Sequence, residues 1–226
     1  MNISRNNLRQ SGFGMVEVLV TLVILLVGLL GLAGLMVQSQ RSEMESYQRV
    51  QALVLLQDMA GRINANRAVA QCYAFTTNPT AGTPYVGTGV GSGGVGALPL
   101  PAACALGTAA QNTRFTTDIT DWNNVLLGTA ETSGGSNAGA MLGARGCISY
   151  DPSTELPPLD PLTGLPTGAP NIPGTGIYTV SIAWQGMGKT FANTSLLCGT
   201  GLYGEPANND PSRRVVSLPV RIANLN

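Results

Sequence analysis

From Val18 to Val37 the chain runs twenty residues without a charge, almost all of them Val, Leu, Ile, Gly or Met. As a helix such a run spans ~30 Å, the thickness of a bilayer's hydrocarbon core, so it predicts a membrane-crossing helix. A secretory signal is the rival reading. Its apolar region is usually ~7–15 residues and ends at a small-x-small cleavage site, whereas this run is longer and flows on into helical sequence. Arg5 and Arg9 precede the run with no acid beside them, while Arg41 is mixed with Glu43 and Glu45 on the far side. That bias predicts a cytoplasmic N-terminus and export of everything after Val37.

A chain of 226 residues leaves room beside this segment for one head of ordinary size. The head is weakly charged and loop-rich: Asp, Glu, Lys and Arg make up 11% of the chain, against 29 Gly and 14 Pro. Twelve basic residues balance twelve acidic ones and Lys189 is the one lysine, so no basic field is available for a nucleic-acid backbone. The chain has no histidine, which removes the commonest general base, the commonest transition-metal ligand and any Ser-His-Asp or Cys-His arrangement. No enzyme activity, cofactor or metal is expected.

Glu17 interrupts the apolar pattern. A carboxylate costs ~2.5–3.5 kcal/mol at the centre of a membrane helix, which marks it as functional with a partner, although a position one turn from the edge also lets it reach headgroups. Around it stands Gly12-Phe13-Gly14-Met15-Val16-Glu17, after a short basic leader and before the apolar run. This segment resembles the processing site of type IV prepilins and pseudopilins. The resemblance implies a prepilin peptidase and methyltransferase that cuts between Gly12 and Phe13 and methylates the new amine of Phe13. Gly14 departs from the family's usual Thr or Ser. The freed amine is a cation in an apolar setting, and Glu17 lies four residues on along the same helix face. Such a pair closes within one chain or between neighbours, where it would fix register between subunits.

Met15 to Leu25 and Val27 to Leu35, with Ile182-Ala183-Trp184-Gln185-Gly186 and Arg213-Arg214-Val215-Val216-Ser217-Leu218, resemble the PilV group of minor pilins, the type IV pilus modification proteins. The inner pseudopilins of type II secretion share the N-terminal pattern and form the alternative. Either resemblance implies an α+β, pilin-like fold: a long N-terminal helix packed on a small antiparallel sheet. We expect a leader at 1–12, a transmembrane half-helix at 13–37, an amphipathic half-helix at 38–70 and a head at 71–226.

The residues agree with that outline. Arg41 to Gln71 lacks proline and places Met44, Tyr47, Leu55, Leu56, Met59, Ala60 and Ile63 at mostly three- and four-residue steps, so the helix is expected to reach about Ala70. Gly28, Gly31 and Gly34 each cost up to ~1 kcal/mol in a helix interior. They read either as close helix packing in lipid or as a stretch able to unwind when the subunit leaves lipid. Thr76 to Pro101, within the uncharged interval Ala68 to Thr113, predicts a long loop. A helix is expected at Asp118 to Leu127 with Thr117 as its cap, and strands at Gly146 to Tyr150, at Ile177 to Trp184 and around Val216 to Ile222. Pro219 marks the last strand as an edge or a short pairing.

Cys72, Cys104, Cys147 and Cys198 in an exported chain suggest two disulfides. Of the three pairings, Cys72 with Cys104 and Cys147 with Cys198 is favoured, because each closes a loop lacking structure of its own. Three other features weigh little. Gly188-Lys189-Thr190 lacks the first glycine of a phosphate loop, and Gly89 to Gly94 meets a dinucleotide pattern only through its glycine content. Asp151, Glu155 and Asp160 fit no helix-loop-helix calcium spacing. The expected function is structural: a minor pilin in the bacterial inner membrane and then the pilus, supporting adhesion or motility from near the tip. Its expected partners are other minor pilins, the major pilin, inner-membrane lipid and a tip adhesin.

Overall fold

Fifty-one residues without a proline, Met15–Ala65, form helix α1. The computed structural model describes residues 14–89, 104, 106–129, 132–137, 141–191, 193–204 and 210–222. The chain divides into two compact units, Met1–Met44 and Glu45–Asn226. In the first unit α1 is exposed along its whole length, and its most apolar window is 0% buried. This helix is long and apolar enough to cross a bilayer, and exposed Val and Leu side chains of this density suit lipid rather than water.

In the second unit the rest of α1 turns amphipathic. Ala52, Leu56, Met59, Ala60 and Ile63 are buried on one stripe, while Val50 and Val54 face outward. The helix stops at Ala65, short of the expected Ala70. Asn66 leaves helical geometry at φ −120° and ψ 37°, and its buried side chain donates to the Tyr73 hydroxyl (3.1 Å) and to the Gln111 carbonyl (2.9 Å). A short 3₁₀ turn, Arg67–Val69, and helix α2, Ala70–Tyr73, then redirect the chain so that Tyr73 enters the core.

Helix α3, Ala109–Leu127, begins well before the expected start at Asp118. Its cap is Thr108 and not Thr117: Thr108 accepts from the Gln111 backbone while the Gln111 side chain returns to the Thr108 N–H. Thr117 lies inside the helix and donates to the Thr113 carbonyl. Gly128 closes the helix at φ 66°, a left-handed conformation that suits glycine.

A four-stranded antiparallel sheet has the order β1-β4-β5-β6, from β1 (Val86–Gly87), β4 (Arg145–Asp151), β5 (Ile177–Gln185) and β6 (Arg213–Arg221). β2 (Thr132–Ser133) and β3 (Ser136–Asn137) form a separate two-stranded ribbon. β1 arises within the Gly/Thr/Pro tract that was expected to be loop throughout. Gly87 is held there by its N–H bond to the Asn123 side chain (2.8 Å) and by pairing with Arg145. The rest of the tract from 90 to 101 lies outside the described residues. β6 is an edge strand, where Pro219 opposite Thr179 leaves no ladder donor missing from the sheet interior.

One face of the sheet carries the main core. Tyr178, Val180, Ile182 and Trp184 of β5 and Ile148 of β4 meet Leu56, Met59 and Ile63 of α1 and Phe115, Ile119, Trp122 and Leu126 of α3. Each fully buried side chain of this size contributes ~1.5–3 kcal/mol relative to exposure. Gly146 is required here, since a Cβ at that position would lie 2.5 Å from the Trp122 ring. The opposite face holds a smaller cluster of Tyr85, Cys147, Ala183, Cys198 and Tyr203. The result is α+β and pilin-like: a long N-terminal helix packed on a small antiparallel four-stranded sheet.

Candidate functional site

The first unit concentrates the residues singled out for processing and assembly. Gly12 and Phe13 lie outside the described residues, and description begins at Gly14, whose carbonyl accepts from the Glu17 N–H at 2.9 Å. Glu17 stands exposed in the first turn of α1, where a carboxylate also complements the positive end of the helix dipole. Gly28, Gly31 and Gly34 all sit within unbroken α-helix, and a Cβ built on any of them meets nothing within 4 Å. Within this chain they relieve no crowding. Their lack of side chains leaves a strip on which another helix can approach closely, and it lowers the cost of unwinding.

Residues 7–33 match the family model described as the prokaryotic N-terminal methylation motif. The chain carries a prepilin-type methylation motif. The match takes in Gly12, Phe13, Glu17, Gly28 and Gly31 and ends one residue short of Gly34. It supports a type IV pilin or pseudopilin, a structural subunit processed by prepilin peptidase and assembled with other pilins. The apolar helix beside the motif is consistent with anchoring in the inner membrane. No curated protein and no solved structure matches the chain.

Two disulfides fasten the second unit. Cys72–Cys104 (Cα–Cα 5.6 Å) ties α2 to the segment before α3, and Cys147–Cys198 (5.8 Å) ties β4 to the loop after β5. That loop also wraps a buried arginine. The Arg213 guanidinium donates to the carbonyls of Leu196, Cys198 (3.2 Å) and Asn193 (2.8 Å), with the Asp210 carboxylate 4.0 Å from its Nε. Burial pulls the Arg213 pKa below its ordinary value, opposed by the charge of Asp210. Next to it, Arg214 bonds Glu45 of α1 (3.1 Å) and the Gly188 carbonyl (2.8 Å). The two separated patches Ile182 to Gly186 and Arg213 to Leu218 thus become neighbours: Ile182 pairs with Val216 and Trp184 with Arg214.

A second polar cluster escapes a reading of the sequence. Asp118 of α3, 5% exposed, accepts from the Tyr73 hydroxyl (2.6 Å) and from Arg62 of α1 (3.0 Å), and Arg62 also bonds Asp58 (2.8 Å) and Asp121 (3.3 Å). Burial, then the hydrogen bond to Asp118, raises the Tyr73 pKa. On the other face of the sheet, Arg145 lies over the rings of Tyr85 (5.4 Å) and Tyr203 (4.8 Å). The spacing Arg114-x-x-x-Asp118 is visible in the sequence, but the decisive partner, Arg62, is 56 residues away.

The three acidic residues weighed for calcium are each engaged locally. Asp151 accepts from Ser153 (2.9 Å), Glu155 from the Gly174 N–H (3.1 Å) and the Tyr150 hydroxyl, and Asp160 from the Leu162 N–H (2.8 Å). Among the described residues no three His, Cys, Asp or Glu side chains gather where they could hold a metal. Gly188-Lys189-Thr190 lies in a loop with no helix after it among the described residues. Of Gly89 to Gly94, all but Gly89 lies outside the described residues.

Proposed function

We propose that this chain is a minor subunit of a type IV pilus, of the PilV kind. In this reading prepilin peptidase cuts between Gly12 and Phe13 and methylates the Phe13 amine, and the mature subunit joins other minor pilins and the major pilin near the tip. Glu17 then neutralises the Phe13 amine of a neighbouring subunit. Gly28, Gly31 and Gly34 let α1 loosen as it passes from lipid into the filament, and the head is periplasmic until export in support of adhesion or motility.

The observation that carries the reading is the methylation motif at 7–33 feeding directly into one continuous helix, exposed up to Met44 and amphipathic beyond it. A minor role is favoured by the resemblance of the β5 and β6 patches, which pack side by side. Mass spectrometry of the membrane-extracted protein should find a chain beginning at methylated Phe13, and sheared surface pili should contain it. An intact Met1 start in cells with active peptidase refutes the processing. Normal pili with lost enzyme secretion on deletion would instead assign the chain to a type II secretion pseudopilus.

A further inference from the structure

The second unit carries exposed apolar side chains at both ends of its sheet. At one end, the 152–176 loop folds into a hairpin through the Leu159–Pro166 bridge and leaves Leu159, Leu162 and Leu165 at 59%, 94% and 65% exposure. The base of that loop meets Gln71, beyond the far end of α1: a Cβ on Gly174 would lie 2.8 Å from the Gln71 amide. At the other end, the 186–191 loop adjoins Glu45, the residue at which the chain enters this unit.

The backbone of the 186–191 loop is well tied. Gly186 donates to the Ser212 carbonyl (2.8 Å), Thr190 to the Pro211 carbonyl (2.8 Å), and the Gly188 carbonyl accepts from Arg214 (2.8 Å). Its apolar side chains are nevertheless not drawn into the core: Met187 is 47% exposed and Phe191 87%. The backbone is thus held in one shape with these two apolar groups outward. Lys189, the one lysine of the chain, lies between them and is also exposed.

We infer that the 186–191 loop rests on the headgroup layer of the membrane that α1 crosses, with Phe191 and Met187 as interfacial anchors. The distance argument uses only the covalent chain. The apolar run ends at Val37, and eight helical residues lead to Glu45, a path of at most ~12 Å. The Arg214 guanidinium bridges Glu45 (3.1 Å) to the Gly188 carbonyl (2.8 Å). The headgroup zone occupies roughly 5–7 Å on each side of the hydrocarbon core, so the loop is within a side chain's reach of it. Interfacial segments place Phe and other large apolar side chains at the boundary between headgroups and acyl chains. The leucine hairpin at the opposite end has no comparable tether to lipid.

This inference rests on α1 spanning the membrane and is independent of which filament the subunit joins. The test places single tryptophans in the full chain, reconstituted in phosphatidylethanolamine and phosphatidylglycerol vesicles, with the parent protein subtracted because Trp122 and Trp184 are buried. Phe191→Trp should lose roughly half its emission to a lipid bearing a nitroxide on its headgroup, as expected of a side chain at the interface. Leu162→Trp should respond to iodide, supplied on both sides of the membrane, and not to that lipid. Leu26→Trp should be quenched by lipids brominated in the mid-acyl chain. Phe191→Trp emission quenched by iodide alone, or by neither agent because protein covers it, overturns the inference when Leu26→Trp is quenched. An unquenched Leu26→Trp overturns the membrane span and the inference with it.

Discussion

Replacing Asp118 by alanine tests whether the contact between α1, α2 and α3 is held by one carboxylate. Two consequences follow from the geometry. The Tyr73 hydroxyl, on a side chain with 0% exposure, loses its acceptor at 2.6 Å. A hydrogen bond to a charged group contributes ~1.5–3 kcal/mol. Arg62 suffers less, because its side chain is 26% exposed and keeps Asp58 and Asp121, so this loss is under ~1 kcal/mol. Alanine's higher helix propensity returns roughly half a kcal/mol. The net destabilisation is ~2–3 kcal/mol, a fall in melting temperature of roughly 5–10 °C for a unit of this size. Near-ultraviolet circular dichroism of the detergent-solubilised protein follows it, since Tyr73, Phe115 and Trp122 share the core beside Asp118. Tyr73→Phe alone should cost ~1 kcal/mol, and the double variant should lose less than the sum by ~1 kcal/mol or more. Additive single losses, or an unchanged melting temperature for Asp118→Ala, would refute the assignment of this carboxylate as the organising group.

Three further expectations follow. Glu17→Gln should leave cleavage at Gly12 intact but prevent co-purification with the other minor subunits, because a broken buried ion pair costs ~3–5 kcal/mol; a recovered complex with a cleaved N-terminus refutes the intersubunit pair. Replacing Gly28, Gly31 and Gly34 together by alanine meets no obstruction within the chain and should stiffen α1 by up to ~3 kcal/mol, so membrane insertion persists while incorporation into pili falls; normal incorporation shows that unwinding plays no part. Burial pushes the Tyr203 phenol up to about 12 and also raises Tyr178, so the fold favours their neutral forms. Stability of the head should be full below ~pH 10, the unfolded phenol value, and decline as pH rises towards 12, with a shallower decline in Tyr203→Phe; a melting temperature constant over pH 8–12 contradicts this.

How legible the fold was depended on the range over which each element is specified. The apolar run and the amphipathic stripe of α1 are local patterns, as are the alternating apolar residues of β5, and their expected positions agree with the structure to within a residue or a few. The first half of α3 has no such stripe. Ala109 to Thr117 is mostly polar, and it is helical because Thr108 and Gln111 cap it and Phe115 anchors it in the core, while Thr113, Thr116 and Thr117 satisfy their hydroxyls on the carbonyl four residues back. The signal for it lies in the Thr108-x-x-Gln111 spacing and in the single large apolar residue Phe115 one turn before Ile119, not in a run of apolar residues. β1 and the Asn66 break carried no local signal: one depends on Asn123 and Arg145, the other on Gln111 and Tyr73.

The same distinction explains the candidate site. In the proposed reading, Gly12, Phe13, Glu17 and the three glycines would act through chemistry set by spacing along one segment: a bare backbone at the cut, a new amine, a carboxylate one helical turn away. No tertiary fold is needed to bring them together, which is why a motif of residues 7–33 is detectable while no curated protein and no solved structure matches the chain. The head answers to different constraints. Arg213 is tolerated in its interior only because Asn193, Leu196 and Cys198 turn their carbonyls towards it, and the 193–198 segment is in turn anchored by the bridge from Cys198 to Cys147. Arg214 then links that arrangement to Glu45 and Gly188. The end of the head nearest the apolar run in sequence is therefore built from three distant segments.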